Sequence, residues 1–329
     1  DPASSEGKMT EYLVPDTIEE TVHLLREHNG RARIIAGGTD MLPDMQSDKH
    51  HPSSLVDVTR IPELNRIDIT GGWATLGAAV TFAVLREHPY LKQHVHALVE
   101  AAASVGAAPI QTAATWAGNL IQAMPAADGA IIAIALHAEV RVLDVDDAPS
   151  GLDDAEQESP DRLWRPVASL YEGPGRSRID SARQLVTHIR FPLPERPWGT
   201  GWRRAGRRPS LVLPTLNCAI RLVLDGDLIA SAAIAVGPVG PCPVRAGDAE
   251  SFLAGLPPTQ SAFAEAARLA LCDAHPRSNV LRASREYRLA VLPVLVEEAL
   301  SQAAQRALKS SGADDSYLSG LDSYKEYPS

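Results

Sequence analysis

Residues 34–41 of the chain are Ile34-Ile35-Ala36-Gly37-Gly38-Thr39-Asp40-Met41. A brief apolar strand runs straight into two glycines, and a backbone without Cβ atoms lets an anion approach successive amide N–H groups closely. The pattern is neither G-x-G-x-x-G nor G-x-x-x-x-G-K-[ST], so it supports neither a Rossmann dinucleotide site nor an ATP-hydrolysing P-loop. An ordinary turn has the same composition, so the segment has to be read with its surroundings.

Around this stretch, residues 8–60 read as a short βαβ arrangement. Tyr12-Leu13-Val14 is a strand, and Pro15-Asp16-Thr17 supplies turn and N-cap chemistry for a helix over Ile18 to His28. Asn29-Gly30 stops that helix, Arg33 to Ala36 is the strand feeding the glycines, and Leu55 to Val58 is the next strand. From 61 to about 195 the pattern changes. Ile67 and Ile69 alternate into Gly71-Gly72, and Ala74 to Gly77 resumes as a hairpin would. Helical stretches follow from Thr81 to His88 and from Ala97 to Ser104, and Asp128 to Leu136 is apolar almost all round, as a buried helix is. Val140 to Leu143 reads as a strand, and the acidic run Asp144 to Asp161 as a solvated loop.

Ile189 to Pro192 ends this part, and Leu193-Pro194-Glu195-Arg196-Pro197 is a natural joint. Leu216 to Leu224 and Leu228 to Val236, separated by Asp225-Gly226-Asp227, form the clearest hairpin of the chain. Helical patterns cover Ser261 to Leu271 and Arg282 to Lys309, with a break or kink expected at Pro293. The last residues have no period and read as an extended tail over 310–329.

Composition narrows the function. The 329 residues suffice for two compact units, and 31 Lys plus Arg against 41 Asp plus Glu give a net charge of −10, which argues against a nucleic-acid partner. No run is long and apolar enough to span a bilayer, and Asp1 to Pro15 has no apolar signal core, so a soluble cytoplasmic protein is expected. Cys218, Cys242 and Cys272 are dispersed without a CxxC pair, and His50-His51 and His94-x-His96 lack companion ligands at zinc spacing. Neither a disulfide framework nor a metal site is expected. Trp202-Arg203-Arg204 and Arg207-Arg208 gather basic groups, for which an interdomain, cofactor-edge or subunit-facing role suits the acidic balance better than nucleic acid.

A second glycine segment is Thr115-Trp116-Ala117-Gly118-Asn119, with Asp128 nine positions beyond Asn119. Gly118 permits close approach, Thr115 and Asn119 supply side-chain hydrogen bonds, and Asp128 can accept from a ribose hydroxyl or simply cap a helix. Ala36 to Asp40, Thr115 to Asn119 and Asp128 together resemble the flavin subunit of the molybdenum hydroxylases, the group that includes xanthine dehydrogenase and carbon monoxide dehydrogenase. The resemblance extends to Gly173-Pro174-Gly175-Arg176 after an R-P-V-x-x-L stretch, to Thr187 to Pro192 and to Trp202 to Arg208, and covers about residues 9 to 300.

The resemblance implies an α+β chain. An FAD-binding domain of the PCMH or vanillyl-alcohol-oxidase type would occupy 8–195, as two α/β subdomains of about 8–60 and 61–195, followed by a C-terminal domain of antiparallel sheet and helices over 196–309. It also implies that Ile34, Ile35, Ala36, Gly37, Gly38, Thr39, Asp40 and Met41, with Thr115, Trp116, Ala117, Gly118 and Asn119, cradle the FAD pyrophosphate. Asp128 would bind the adenosine side, and Val186 and Arg203 would be peripheral contacts. Ala117 departs from the glycine usual there, placing a methyl group near the phosphate, and Arg203 replaces a common lysine. Relatives with an extra [4Fe-4S] cluster carry cysteines just after this segment, whereas Asn119 to Asp128 holds none, so no cluster is expected in this chain. The implied role is electron transfer through FAD, between a small subunit with two [2Fe-2S] clusters and NAD⁺ or another acceptor, beside a molybdopterin-binding large subunit, with no side chain acting as acid or base. The rival readings are an FAD-free assembly subunit and an autonomous flavin oxidase of the same superfold.

Overall fold

A computed structural model describes residues 11–146, 163–206, 213–279 and 283–310. The 310–329 tail beyond its first residue, most of the acidic run and Arg207-Arg208 lie outside the described residues. The chain opens with β1 (Glu11–Leu13), α1 (Ile18–His28), β2 (Ala32–Ile35), α2 (Met41–Gln46) and β3 (Ser54–Asp57), the strands forming a parallel sheet with β3 in the middle. Helix α1 starts where the Thr17 hydroxyl accepts from the Glu20 amide, and stops at Asn29, whose φ of 43° is left-handed. Helix α2 is absent from the reading of the sequence. It is one short turn and a half containing Pro43, and it begins at the end of the Gly-Gly turn as the Leu42 amide donates to the Gly38 carbonyl.

The chain continues with the hairpin of β4 (Ile67–Thr70) and β5 (Trp73–Gly77), where Gly71 and Gly72 both take positive φ, as the tight two-residue turn requires. Six helices follow: α3 (Phe82–Glu87), α4 (Pro89–His94), α5 (His96–Ser104), α6 (Ala108–Ala113), α7 (Trp116–Ile121) and α8 (Asp128–Ala135). Then come β6 (Glu139–Asp144), β7 (Trp164–Pro166), the small pair β8 (Tyr171–Gly173) and β9 (Arg176–Ser177), and β10 (Gln184–Pro192). Strands β4-β5-β10-β6-β7 form an antiparallel sheet in that order. Its inward residues, among them Ala74, Leu76, Val140, Ile189 and Phe191, pack with α5, α7 and α8 in one core, and every residue of α8 is buried.

The same strands carry an aromatic stack on their less buried residues. The Arg190 guanidinium lies 4.3 Å from the Trp73 ring centre and 4.1 Å from that of Trp164, while its Nε donates to Glu139 Oε2 at 2.8 Å. Lysine cannot stack flat between two rings while donating to a carboxylate. Arg190→Lys is therefore expected to lose about 1–2 kcal/mol of stability, read as a lower urea midpoint at unchanged m; an unchanged midpoint would remove the stack from the stabilising contacts.

Beyond Pro192 the chain builds a second antiparallel sheet from β11 (Trp198–Ala205), β12 (Leu216–Asp225), β13 (Leu228–Gly237) and β14 (Val244–Arg245), in that order. Helices α9 (Gly247–Leu253), α10 (Gln260–Leu269) and α11 (Arg285–Ser310) cover one face with a second core. Trp202, Ala219 and Ala235 join the first core, so this sheet is buried on both sides. Strand β11 escapes pattern reading because Gly199 and Gly201 interrupt it. A Cβ on Gly199 would stand 2.2 Å from the Ala303 carbonyl oxygen, and one on Gly201 2.0 Å from that of Ala299, so the glycines let α11 lie close against the strand.

Of the break or kink expected at Pro293, the break does not occur: α11 runs from Arg285 to Ser310 with Pro293 inside it. Proline removes one backbone donor there, while the buried run through Leu300, Ala303, Ala304 and Ala307 anchors the helix beyond it. No helix among the described residues is long and apolar enough to cross a membrane.

Candidate functional site

The two glycine segments meet. A Cβ on Gly37 would lie 1.9 Å from the Ala113 carbonyl oxygen and 2.9 Å from the Ala114 nitrogen, so only glycine lets the turn after β2 close on the chain entering α7. That chain is itself pinned: the Phe82 amide donates to Ala114 O at 3.0 Å, the Trp116 amide to Val80 O at 3.2 Å, and Thr115 pairs with Thr81. Ile34 and Ile35 are strand residues beneath the turn, with the Ile34 amide donating to Ser181 O and Ile35 buried. Ala36, Gly37, Gly38, Thr39 and Met41 are half-buried, and Asp40 is exposed.

Gly38 takes a left-handed φ of 66°. Among the described residues, nothing accepts a hydrogen bond from the amides of Gly37, Gly38 or Thr39. Consecutive unengaged amides at a glycine turn form a concavity that suits an anion.

Thr115 to Asn119, the second glycine segment of the sequence, is the cap and first turn of α7, a helix that the sequence pattern did not reveal. The Thr115 hydroxyl accepts from the Gly118 amide at 3.0 Å, so that amide is already occupied. Ala117 is 3 % exposed and its methyl group belongs to the apolar core, packed with Leu120 and Trp116. Gly118 is exposed. Asn119 Oδ1 is buried without a partner among the described residues and stands beside Gly129, where a Cβ would be 2.4 Å from it. Gly173 to Arg176 forms the β8–β9 turn next door, its Gly175 amide donating to Ala123 O.

Asp128 opens α8 and is 6 % exposed. Its Oδ1 accepts from Asn217 Nδ2 at 2.6 Å, and its Oδ2 from Ser104 Oγ at 3.0 Å and Arg204 Nε at 3.3 Å. Burial pushes its pKa up to about 6, and Arg204 with the hydrogen bonds from Asn217 and Ser104 keeps it from rising further. Asp128 connects to the glycine segments through its neighbour: the Gly129 carbonyl accepts from Trp116 Nε1 at 2.8 Å. Val186 is a core residue of β10, and Arg203 is engaged with Glu298 of α11 at 3.0 Å. Reading the residues did not find Asn217 or Ser104. A lone asparagine inside the apolar run Leu216 to Leu224 was the available signal, since a buried amide needs a partner.

These features fit FAD. Unengaged amides beside a Cβ-free turn suit its pyrophosphate, and the orphaned Asn119 oxygen suits a hydroxyl or N–H of the cofactor. The three cysteines are free and differ in setting: Cys218 is buried in β12, Cys242 is half-buried and Cys272 is exposed.

Comparison with known proteins bears on the same residues. The family described as "FAD binding domain in molybdopterin dehydrogenase" matches residues 7–194, and "CO dehydrogenase flavoprotein C-terminal domain" matches 202–303. The xanthine dehydrogenase FAD-binding subunit of Escherichia coli O157:H7 is 26% identical over 292 residues, covering 88% of this chain and 94% of that one. The carbon monoxide dehydrogenase medium chain of Hydrogenophaga pseudoflava is 27% identical over 297 residues, covering 90% and 97%. A solved structure of carbon monoxide dehydrogenase from the same organism, lacking the Mo-pyranopterin moiety, superposes with a TM-score of 0.78 at 26% identity, over 90% of this chain and 98% of that one. With the glycine turn, the capped α7 and the second sheet all in place, the chain belongs to the FAD-binding medium subunits of the molybdenum hydroxylases, a family of oxidoreductases.

Proposed function

We propose that the chain carries electrons through FAD from the [2Fe-2S] clusters of a small partner subunit to NAD⁺ or another acceptor, while a molybdopterin-binding large subunit oxidises the organic substrate. The observation that carries the reading is the row of unengaged amides at Gly37 to Thr39, closed against α7 because Gly37 has no side chain. FAD, when bound, supplies the redox chemistry of its isoalloxazine ring. The chain binds and orients it: Ile34 to Met41 and Thr115 to Asn119 hold the pyrophosphate, Asp128 serves the adenosine side, and Val186 and Arg203 lie at the periphery. A carboxylate accepting from three donors retains acceptor capacity for a ribose hydroxyl. The two units divide at 195, and the three free thiols suit a reducing compartment, the cytoplasm.

The test uses the full chain. Expressed alone and reconstituted with FAD, it is expected to show a bound-flavin visible spectrum and to oxidise NADH with an artificial acceptor. A colourless protein after reconstitution overturns the reading in favour of an FAD-free assembly subunit. Turnover of an organic substrate without partner subunits makes it an autonomous oxidase instead.

A further inference from the structure

The C-terminal sheet grips helix α8 at both ends. At its N-terminus, Arg204 of β11 and Asn217 of β12 donate to the Asp128 carboxylate, and Asn217 Nδ2 also reaches Ala126 O at 3.2 Å. At its C-terminus, Arg221 Nη1 of β12 donates to Leu136 O at 3.3 Å. A carboxylate at the start of a helix and a guanidinium at its end both oppose the helix dipole. All eight residues of α8, Asp128 included, are buried, so these polar contacts fix the position of an otherwise featureless apolar rod.

The first turn of that rod bears on the cofactor segment. Trp116 of α7 hydrogen-bonds to Gly129 O, and Asn119 Oδ1 occupies the space that a side chain at 129 would take. The chain entering α7 lies in turn on Gly37. A helix displaced by about an ångström would move Trp116 and Asn119 with it, because close-packed interiors transmit such shifts.

We propose that Arg204 and Asn217, residues of the C-terminal domain, are positioning residues of the FAD site. Through Asp128 and Gly129 they set α8, and through α8 they set Trp116 and Asn119 against the glycine turn. The inference rests on the FAD reading of residues 34–41 and 115–119. It adds that the second domain, which supplies neither glycine segment, determines how well they hold the cofactor. Removing the guanidinium leaves Asp128 buried without its cation, and the carboxylate then protonates or draws in water, freeing the first turn of α8.

The experiment compares full-length wild type with Arg204→Met, Asn217→Leu, Arg204→Lys and a control, Arg268→Met, which breaks the exposed pair with Glu265. Two quantities are read well below each unfolding midpoint: the FAD dissociation constant by flavin fluorescence, and hydrogen exchange of amides 115–121. Arg204→Met and Asn217→Leu are expected to weaken FAD binding about tenfold or more and to speed exchange in 115–121 by about the same factor. Arg204→Lys restores the charge and recovers part of both losses, and the control changes neither. If the first two variants bind FAD and protect 115–121 as wild type does, even with lowered midpoints, they serve stability alone and the proposal fails. Wild type that binds no FAD overturns the cofactor reading by itself; the exchange arm then still decides, for or against, whether these residues position α7.

Discussion

Gly37→Ala is expected to yield a chain that retains no flavin and is destabilised by about 3 kcal/mol or more. The added Cβ would sit 1.9 Å from the Ala113 carbonyl oxygen and 2.4 Å from its carbon, where ordinary contact begins at 3.4 Å. Neither partner is a flexible side-chain end. Ala114 and Trp116 are tied by hydrogen bonds to Phe82 and Val80, so the 113–116 chain cannot yield alone, and β2 is held in its parallel sheet by β3. Relief therefore comes from separating the glycine turn from the start of α7, the two segments proposed to hold the pyrophosphate.

Gly71→Ala is the matched comparison. Gly71 has a positive φ of 57° but nothing within 4 Å of a Cβ, so alanine there costs only its conformational strain, about 1 kcal/mol. Urea unfolding and the ratio of flavin to protein absorbance in purified, reconstituted chain measure both effects. A Gly37→Ala protein with wild-type midpoint and full flavin content would show that the two segments do not need their close contact.

What the sequence made readable was local. Thr17 and Asn29 delimit α1 because a hydroxyl cap and a left-handed residue act within one turn of their own helix. Gly71-Gly72 and Asp225-Gly226-Asp227 mark their hairpins for the same reason, since turn chemistry is carried by the turn itself. The glycines at 37 and 38 marked a tight turn, because a missing Cβ is a property of the residue itself. Hidden were elements whose reason for existing lies elsewhere in the chain. Strand β11 contains two glycines because α11 passes over it, and no local window contains α11. Gly118 and Asn119 are poor helix formers, yet α7 is helical because its core residues Trp116, Ala117 and Leu120 are buried. The partners of Asp128 are likewise remote: Arg204 and Asn217 lie 76 and 89 residues away. Asp128 could be read as a ligand or a cap from its surroundings, but its place between two domains is a tertiary fact.

That place gives Asp128 an unusual pH signature. Most native carboxylates are stabilised in their charged form and weaken a protein as acid protonates them. Asp128 goes the other way: burial raises its pKa from 3.8 to about 6, and Arg204, Asn217 and Ser104 only limit the rise. The folded chain thus binds this proton more tightly than the unfolded chain does. As pH falls through about 6 towards 4, folding gains from this one group, to a total of about 3 kcal/mol. The unfolding free energy of wild type minus that of Asp128→Asn, measured in urea from pH 7 to pH 4, cancels most other titrations and is expected to climb by about that amount.

In the same interval the charged Asp128–Arg204 pair is lost, so FAD affinity is expected to fall while global stability from this residue rises. Arg204→Met removes the largest influence that lowers the Asp128 pKa, and so moves the climb to higher pH. A wild-type minus Asp128→Asn difference that is flat, or that declines on acidification, would mean that Asp128 is held as a carboxylate by its partners more strongly than its burial opposes it. Opposite pH trends in stability and in flavin affinity would identify the element that is loosened. They place the change in the link from β11 to α8 and not in the fold as a whole, because unfolding would carry both quantities down together.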